Sequence, residues 1–445
     1  MKRKFTVLTS ALLASTMILS SCGANNNNNG PKPQKKSQSN HAEISKNSVN
    51  LTSTAKGVKD LPDTGSIKMS DEQKIALSKV YQNLYATVMK SSNKDENVLL
   101  SPTSLVMDFG MLENGADGNT LKELEEVING GISVEEFNKL MYEQYKRYTS
   151  SKDLTFNIAN SIWINSLLHE NAGEDFLNKS KSFYNSEVFK SPFNDATKQD
   201  IDAWCNEKTN GMIPKLDTDL SPASSMNLIN AIAFEAEWET PFNDDSIHED
   251  CDFTNSDNTT SKVNYLTFTD NSYFKYEGGL GFTKEYKGGK YAYFAMLPPE
   301  DMTTAEYIAK LQKDNVTLSD LISHKEQGEV KVSMPEFETR YKATLNKPLI
   351  DMGIKDGFNA DKANFSKLFD TDKNNQYIGY VDQYTYIKVN REGTKAAAVT
   401  NIGMYEACLP MTENVIINLD RPFIYGIVDL ETNLPIFIGS QNSMK

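Results

Sequence analysis

The chain has 445 residues, of which 39% are hydrophobic and 10% aromatic, so its composition is that of a globular protein with a sizeable core. Its formal net charge of -14 argues against nucleic acid or an anionic membrane surface as the partner, because both require basic patches. No such patch occurs after residue 40.

The first 22 residues are predicted to be a targeting segment. The positive stretch MKRK precedes a mainly apolar stretch that is too short for a permanent transmembrane helix. The segment ends in LSSC at Cys22, which resembles a bacterial lipobox whose cysteine receives lipid once the signal is cleaved. The alternative is a plain signal peptide with an incidental cysteine. The first interpretation predicts an exported protein that is lipid-anchored at the cell surface, on an extracellular or periplasmic face.

Residues 23–68 form a low-complexity stretch rich in Asn, Lys, Ser and Pro. This composition cannot bury enough apolar surface to order itself, so we expect a disordered tether. Residues 69–445 contain no further linker or internal repeat and are predicted to form one domain.

Within that domain, helical patterns dominate the first half and strand patterns the second. A Ser70–Asp71 cap signal and the apolar spacing after it predict a helix that ends near Ser91. Segment 154–165 predicts a strand, and segment 226–238 predicts a strand buried on both faces. Eight more strand patterns lie beyond residue 250, so the predicted fold class is α+β, with helices packed on large sheets.

The usual motifs of enzymes and metal sites are missing from the sequence. None of the histidines beyond residue 41 has a metal-ligand spacing, and there is no nucleophile elbow, P-loop or dinucleotide motif. The segment GGLGF at 278–282 is predicted to be a turn. Three cysteines after Cys22 do not make a disulfide framework. We therefore expect no enzyme, no metal and no cofactor.

Six segments that follow one another between residues 97 and 440 carry a family resemblance. They are NVLLSPTSLVMDFGMLENGADGNT, LTFNIANSIWIN, MNLINAIAFEAEWETPF, VSMPEFETRYKATLNKPLIDMGIKDGFNADKANFSKLF, VNREGTKAAAVT and RPFIYGIVDLETNLPIFIGS. Together they resemble the serpin family over about residues 70 to 445. The resemblance implies the serpin fold, in which helices pack on a large central β-sheet with two further sheets and an exposed reactive-centre loop.

The resemblance also assigns individual positions. It places Ser101 and Ser104 at two serines beneath the central sheet, in the region called the shutter. Asn230 falls at the shutter asparagine, and Trp238 at a tryptophan near the top of the sheet. Gln383 stands where the family usually has histidine; an amide can still donate and accept hydrogen bonds, so the cluster is expected to survive with altered geometry.

The hinge of the loop lies in VNREGTKAAAVT. Its expected residues are Arg391, Glu392, Gly393, Thr394, Ala396, Ala397 and Ala398. Arg391 stands where the family usually has Glu, which puts the local ion pairing in doubt but not the mechanism. A solvated Ala-rich loop or a short helix is the alternative structure for this segment.

The resemblance implies that the segment after Thr394 is an exposed loop. A target protease cleaves this loop, and the cleaved loop then enters the central sheet as a new strand. Strand side chains alternate with period 2, so the face that becomes buried must carry no charge and no Pro. Counted from Thr394, the inward set meets this condition, because all six residues are small or apolar. They are Thr394, Ala396, Ala398, Thr400, Ile402 and Met404.

The family's usual spacing places the scissile bond sixteen residues beyond Arg391, at Ala407–Cys408. Counting back from Pro422 instead places it near Met411; we prefer the first count, because the length of the inserted strand is a mechanical constraint. Ala407 would suit an elastase-like or subtilisin-like protease with a small apolar pocket. Cys408 is interpreted as a tolerated small residue rather than a redox switch.

The expected function is suicide inhibition of a serine protease, with cysteine proteases as a second target class. The inhibitor would act as a monomer and end in a covalent acyl complex with its target. Two alternatives remain: a non-inhibitory serpin-fold binding protein at the cell surface, and a lipoprotein hydrolase, which would need a His or metal site that the sequence lacks.

Overall fold

The computed structural model describes residues 47–150, 154–168, 172–216, 218, 220–369, 376–394 and 415–445. Within these residues, no helix is long and apolar enough to cross a membrane. The α-helices of the described residues are α1 (Asp71–Ser91), α2 (Pro102–Glu113), α3 (Gly118–Val127), α4 (Val134–Thr149), α5 (Glu174–Tyr184), α6 (Asp195–Lys208), α7 (Thr304–Lys313), α8 (Leu318–Ser323) and α9 (Asn346–Met352). The strands are β1 (Val49–Asn50), β2 (Val98–Leu100), β3 (Leu154–Asn165), β4 (Glu187–Ser191), β5 (Met226–Glu237), β6 (Ile247–Thr254), β7 (Thr260–Tyr276), β8 (Gly279–Glu285), β9 (Tyr291–Leu297), β10 (Glu326–Pro335), β11 (Phe337–Thr344), β12 (Ile378–Asn390), β13 (Gly393–Thr394), β14 (Val415–Asn418), β15 (Phe423–Asp429) and β16 (Pro435–Gln441).

A seven-stranded sheet, in the order β1-β4-β3-β5-β13-β12-β11, is the central sheet of the fold. Strands β5 and β12 pair directly and in parallel from Met226↔Ile378 to Ala233↔Tyr386. Beyond this ladder the two-residue strand β13 lies between them and is antiparallel to both. The hinge therefore begins as a strand of the central sheet.

Helices cover both faces of the central sheet. The buried helix α2 packs against β3 and β5 on one face, as part of the main core. On the other face, α6 places Ile201 and Trp204 in a second apolar cluster with Ala231, Ala233 and Tyr386 of the sheet. The alternation of strand side chains thus buries β5 on both faces, as its apolar sequence predicted.

The resemblance implied two further sheets, but in the structure their strands form one continuous sheet. Strand β7 pairs with β6 and β10 along most of its length and with β8 through its last three residues, which makes one nine-stranded sheet. The predicted turn at 278–282 is wrong from Gly279 onward, because β8 begins there. Gly281 allows this pairing, since a Cβ at that position would lie 2.2 Å from the ring of Phe274.

Residues 47–68 belong to the folded part, so the tether expected over 23–68 was drawn too long. Strand β1 pairs with the edge strand β4, and Ser48 Oγ donates a hydrogen bond of 2.5 Å to Asp200 Oδ2 on α6. Farther on, the Gly57 amide donates to Asn178 Oδ1 of α5 at 2.9 Å. This stretch is held by hydrogen bonds to distant residues and by apolar side chains, among them Leu51 and Val58, that pack against the main core, which its composition could not reveal.

Two carboxyl groups of α2 are buried. Asp108 is fully buried, and neither of its carboxyl oxygens has a hydrogen-bond partner among the described residues. Glu113 is 1% exposed and accepts one hydrogen bond of 2.6 Å from Asn129 Nδ2. Burial raises the pKa of both carboxyls well above the ordinary range, and the nearby charge of Glu125 raises that of Glu113 further. Both groups therefore favour the neutral acid in the native protein.

The native protein is expected to lose stability as the pH rises. The stabilising contribution of the two acids is complete below their unfolded pKa values of about 4 and is lost as the pH rises through the raised native values, because the unfolded chain releases protons that the native protein retains. Each group contributes a slope of up to about 1.4 kcal/mol per pH unit in that window. Thermal unfolding of the wild type and of Asp108→Asn and Glu113→Gln between pH 5 and 9 would measure the slope. Equal slopes in all three proteins would contradict the assignment.

Candidate functional site: shutter and hinge

The predicted shutter residues form one buried cluster beneath β5 and β12. Asn230 Nδ2 donates to Ser104 Oγ and to Asn160 Oδ1, both at 2.5 Å. Gln383 Nε2 donates to Asn230 Oδ1 at 2.7 Å. Asn160, which the sequence analysis missed, is a polar residue on a strand that is otherwise mainly apolar where it faces α2. The cluster therefore joins β3, β5 and β12 to the start of α2.

Both ends of the Gln383 side-chain amide are hydrogen-bonded. Its Oε1 accepts from the Ser101 backbone N–H at 2.8 Å, and its Nε2 also donates to the Ser101 carbonyl at 2.9 Å. Ser101 Oγ in turn donates to the Ile436 carbonyl at 2.7 Å. Gln at this position thus links the sheet to α2 and to β16, without the histidine that the family usually has.

The hinge begins inside the sheet. Gly393 has φ +149°, and a Cβ at this residue would lie 2.0 Å from the carbonyl oxygen of Ala236, so a larger residue does not fit. Thr394 is fully buried, and its Oγ1 lies 2.7 Å from the hydroxyl oxygen of Tyr286. The ring of Tyr286 stacks on that of Trp238 at a centroid distance of 4.7 Å.

Trp238 also contacts the hinge through its own N–H groups. Its indole Nε1 donates to the Asn390 carbonyl at 2.9 Å, and its backbone N–H donates to the Glu392 carbonyl at 3.2 Å. The predicted tryptophan near the top of the sheet therefore lies directly against the turn that connects β12 to β13.

Arg391, one of the two departures from the family pattern, has a partner. Its guanidinium donates to Glu336 with N–O distances of 3.3 Å, and its backbone N–H donates to Glu336 Oε1 at 2.9 Å. Burial opposes the charged form of Glu336, but these hydrogen bonds hold the pKa of its carboxyl below the ordinary range. The ion pair that the sequence left in doubt is present, with the cation on the hinge.

The comparisons with known proteins agree with this architecture. The chain matches the family profile described as Serpin (serine protease inhibitor) over residues 76–444. The chain belongs to the serpin family. It is 28% identical to an uncharacterized serpin-like protein of Methanosarcina acetivorans, over 81% of this chain and 84% of that protein. It is 26% identical to mouse neuroserpin, over 79% of this chain and 87% of that protein.

A solved structure gives the same result for the fold. The crystal structure of the thermophilic serpin tengpin in the native state is similar to this serpin with a TM-score of 0.80 and 35% identity. The similarity covers 89% of this chain and all of tengpin. The serpin fold inferred from the six segments is confirmed.

Several predicted residues of this serpin lie outside the described residues. They are Cys22, Ala396, Ala397, Ala398, Thr400, Ile402, Met404, Ala407 and Cys408. Of the other cysteines, Cys205 and Cys251 are free thiols. Burial of Cys205 in α6 raises the pKa of its thiol to about 12, so it remains protonated and unreactive.

Reversal of one charge at the hinge should lower stability, and reversal of both should recover part of it. Arg391→Glu places a further carboxylate beside Glu336 and near Glu249 and Asp244, so we expect a loss of about 1 kcal/mol in the free energy of unfolding. Glu336→Arg combined with Arg391→Glu restores the attraction between the two partners. A double-mutant cycle of thermal unfolding would measure the coupling. Strictly additive effects would show that the two side chains do not interact.

Proposed function

We propose that this serpin is a suicide inhibitor of serine proteases, and that its cleaved loop enters the central sheet between β5 and β12. The observation that carries the proposal is β13, because Gly393 and Thr394 already occupy that position between the two strands. Membership in the family described as serine protease inhibitors supports the same function.

The register of β13 predicts where the rest of the loop would lie. Thr394 pairs with Ala236 of β5 in antiparallel register, so each step forward along the loop is one step back along β5. Thr400, six residues on, would reach Asn230. The pairing of Thr394 with Val389 of β12 leads in the same way to Gln383. These two shutter residues now pair with each other, so Thr400 would enter the centre of the shutter.

The same register adds a condition on the outward face of the inserted strand. Ala397 would lie opposite Ala233 and Tyr386, which belong to the apolar cluster under α6. A bulky side chain at this position would collide with that cluster or displace the helix. Alanine at position 397 is small enough for this space, whereas the condition derived from the sequence concerned only the inward face.

The length of β5 favours Ala407 over Met411 as the residue before the scissile bond. In the projected register Met226, the first residue of β5, lies opposite Met404. Ala407 is three residues beyond that point, so almost the whole strand would insert before the acylated residue reaches the end of the sheet. A bond after Met411 would leave seven residues outside it. We therefore propose cleavage at Ala407–Cys408 by an elastase-like or subtilisin-like protease.

Incubation with pancreatic elastase and with subtilisin tests the proposal. We expect an SDS-stable adduct with a mass close to the sum of both proteins, and a released peptide that begins at Cys408. Protease inactivated beforehand at its catalytic serine is the control and should give no adduct. Cleavage without an adduct and without a gain in heat resistance, for every serine and cysteine protease tried, would refute inhibition and favour a binding protein.

We further propose that lipid on Cys22 holds the protein at the cell surface. The lipobox-like sequence LSSC supports this proposal, and so does the polar stretch that separates it from the folded part. Cys22→Ala should move the protein from the detergent phase to the aqueous phase of a Triton X-114 partition. An unchanged distribution between the phases would leave the plain signal peptide as the correct interpretation.

A further inference from the structure

Lys284 of β8 is a buried lysine surrounded by aromatic rings. Lys284 as a whole is only 9% exposed. The Nζ atom lies 4.5 Å from the ring centroid of Phe268, 4.6 Å from that of Phe242 and 5.5 Å from that of Trp238. Aromatic faces attract a cation, but they replace only part of the hydration that burial removes. A buried ammonium at this place therefore needs an explanation.

The lysine contacts the segment that holds the hinge. We name residues 238–242 the gate segment. Lys284 Nζ donates to the carbonyl of Thr240, in the middle of this segment, at 3.2 Å. The ends of the segment donate to the hinge: Trp238 to the Asn390 and Glu392 carbonyls, and the Phe242 N–H to the Arg391 carbonyl at 3.4 Å. Three successive hinge carbonyls are thus bound by the segment that Lys284 contacts.

The charged and titratable groups around the lysine do not compensate its charge. Asp270 of β7 attracts the ammonium, but no salt bridge to Lys284 is found in the described part of the chain. Glu239 of the gate segment accepts instead from the Gly288 N–H at 2.9 Å. Tyr286, the first residue after β8, contacts Thr394. Burial therefore disfavours the protonated amine while the gate segment covers it, and the attraction of Asp270 opposes this effect only in part.

We propose that Lys284 is a positioning residue that links closure of the gate segment over the hinge to the loss of a proton. At alkaline pH, opening of the segment lets water reach the amine, which binds a proton, and closing of the segment returns this proton to solvent. Burial lowers the pKa of this lysine to about 8, with Asp270 opposing the shift, which agrees with the geometry. Above that pH the closed gate segment gains stability until the pH reaches the ordinary lysine value.

Hydrogen exchange of the intact protein without any protease tests this inference. The inference takes the hinge role of Thr394 from the proposed function, but its test stands apart from inhibition. After correction for intrinsic rates, protection of the Gly393 and Thr394 amides should rise about tenfold or more between pH 7 and pH 9.5. Failure of the protein to trap proteases would leave this result unaffected.

Three variants complete the design. Lys284→Met removes the titrating amine and Lys284→Arg keeps the charge at every pH, so in both the protection should not change with pH. Lys287→Met removes a neighbouring lysine whose side chain is 55% exposed, and should keep the wild-type profile. A flat profile in the wild type, or a wild-type profile in Lys284→Met and Lys284→Arg, would overturn the proposal.

Discussion

Thr400→Arg is expected to convert the inhibitor into a substrate. In the projected register Thr400 would lie between Asn230 and Gln383, both of which are buried in the native sheet. Burying an unpaired guanidinium there costs several kcal/mol, and each 1.4 kcal/mol of barrier slows insertion about tenfold. The protease would complete hydrolysis first. The number of inhibitor molecules consumed per protease molecule inhibited, read from titrations and SDS gels, should rise about a hundredfold or more.

Lys395→Arg is the matched control for this experiment. It introduces the same guanidinium at an outward position, opposite Glu235 in the projected register, and should inhibit like the wild type. Thr394→Arg is a less clean variant, because Thr394 is already buried against Tyr286 before cleavage. If Thr400→Arg still forms the wild-type amount of stable complex, the loop does not insert in the register of β13.

Asn230→Ala is expected to cause the largest loss of native stability. The substitution leaves Ser104, Asn160 and Gln383 without the amide that connects them, in a site that excludes water. Three hydrogen bonds between buried groups are lost, each worth about 0.5 to 1.5 kcal/mol, and the missing amide leaves a cavity, so we expect a total loss of about 3 to 5 kcal/mol. Because the same amide joins β5 to β12, the sheet should also open more readily. Thermal unfolding and the rate of uptake of a synthetic loop peptide would measure these effects.

Asn157→Ala on β3 provides the comparison. Its side-chain Nδ2 is buried without a hydrogen-bond partner in the described part of the chain, so truncation removes an amide but no hydrogen bond from that atom. We expect a loss much smaller than that of Asn230→Ala. Equal losses in the two variants would mean that the hydrogen-bonded cluster contributes nothing beyond the volume of an amide.

The buried strands could be predicted from the sequence almost to the residue. The segment 154–165 matches β3, because its side chains alternate with period 2, and 226–238 matches β5 except for its last residue. The hydrophobic pattern did not predict the length of a strand where backbone pairing, rather than side-chain burial, determines it. Two of the eight strand patterns predicted beyond residue 250, at 261–268 and 272–277, belong to one strand, because β10 pairs with β7 across the polar interval between them.

Site residues that depend on distant partners could not be found in this way. Glu336 is paired with Arg391 at a separation of 55 residues, and no local pattern indicates it. Lys284 appears in the sequence as an ordinary charge of an alternating strand; only the packing of Phe242 and Phe268 around it shows that it is buried. The resemblance supplied Asn230 and Trp238, since those positions are tied to motifs rather than to contacts.

Strand direction in the central sheet has a thermodynamic consequence. The β5–β12 contact is a parallel ladder, whereas a strand that enters in the register of β13 is antiparallel to both neighbours. Insertion would therefore exchange one parallel ladder for two antiparallel ones, which doubles the number of strand contacts and makes each slightly more stable. The free energy that insertion would release therefore comes from strand pairing along the whole length of β5 and needs no single strained residue in the native protein.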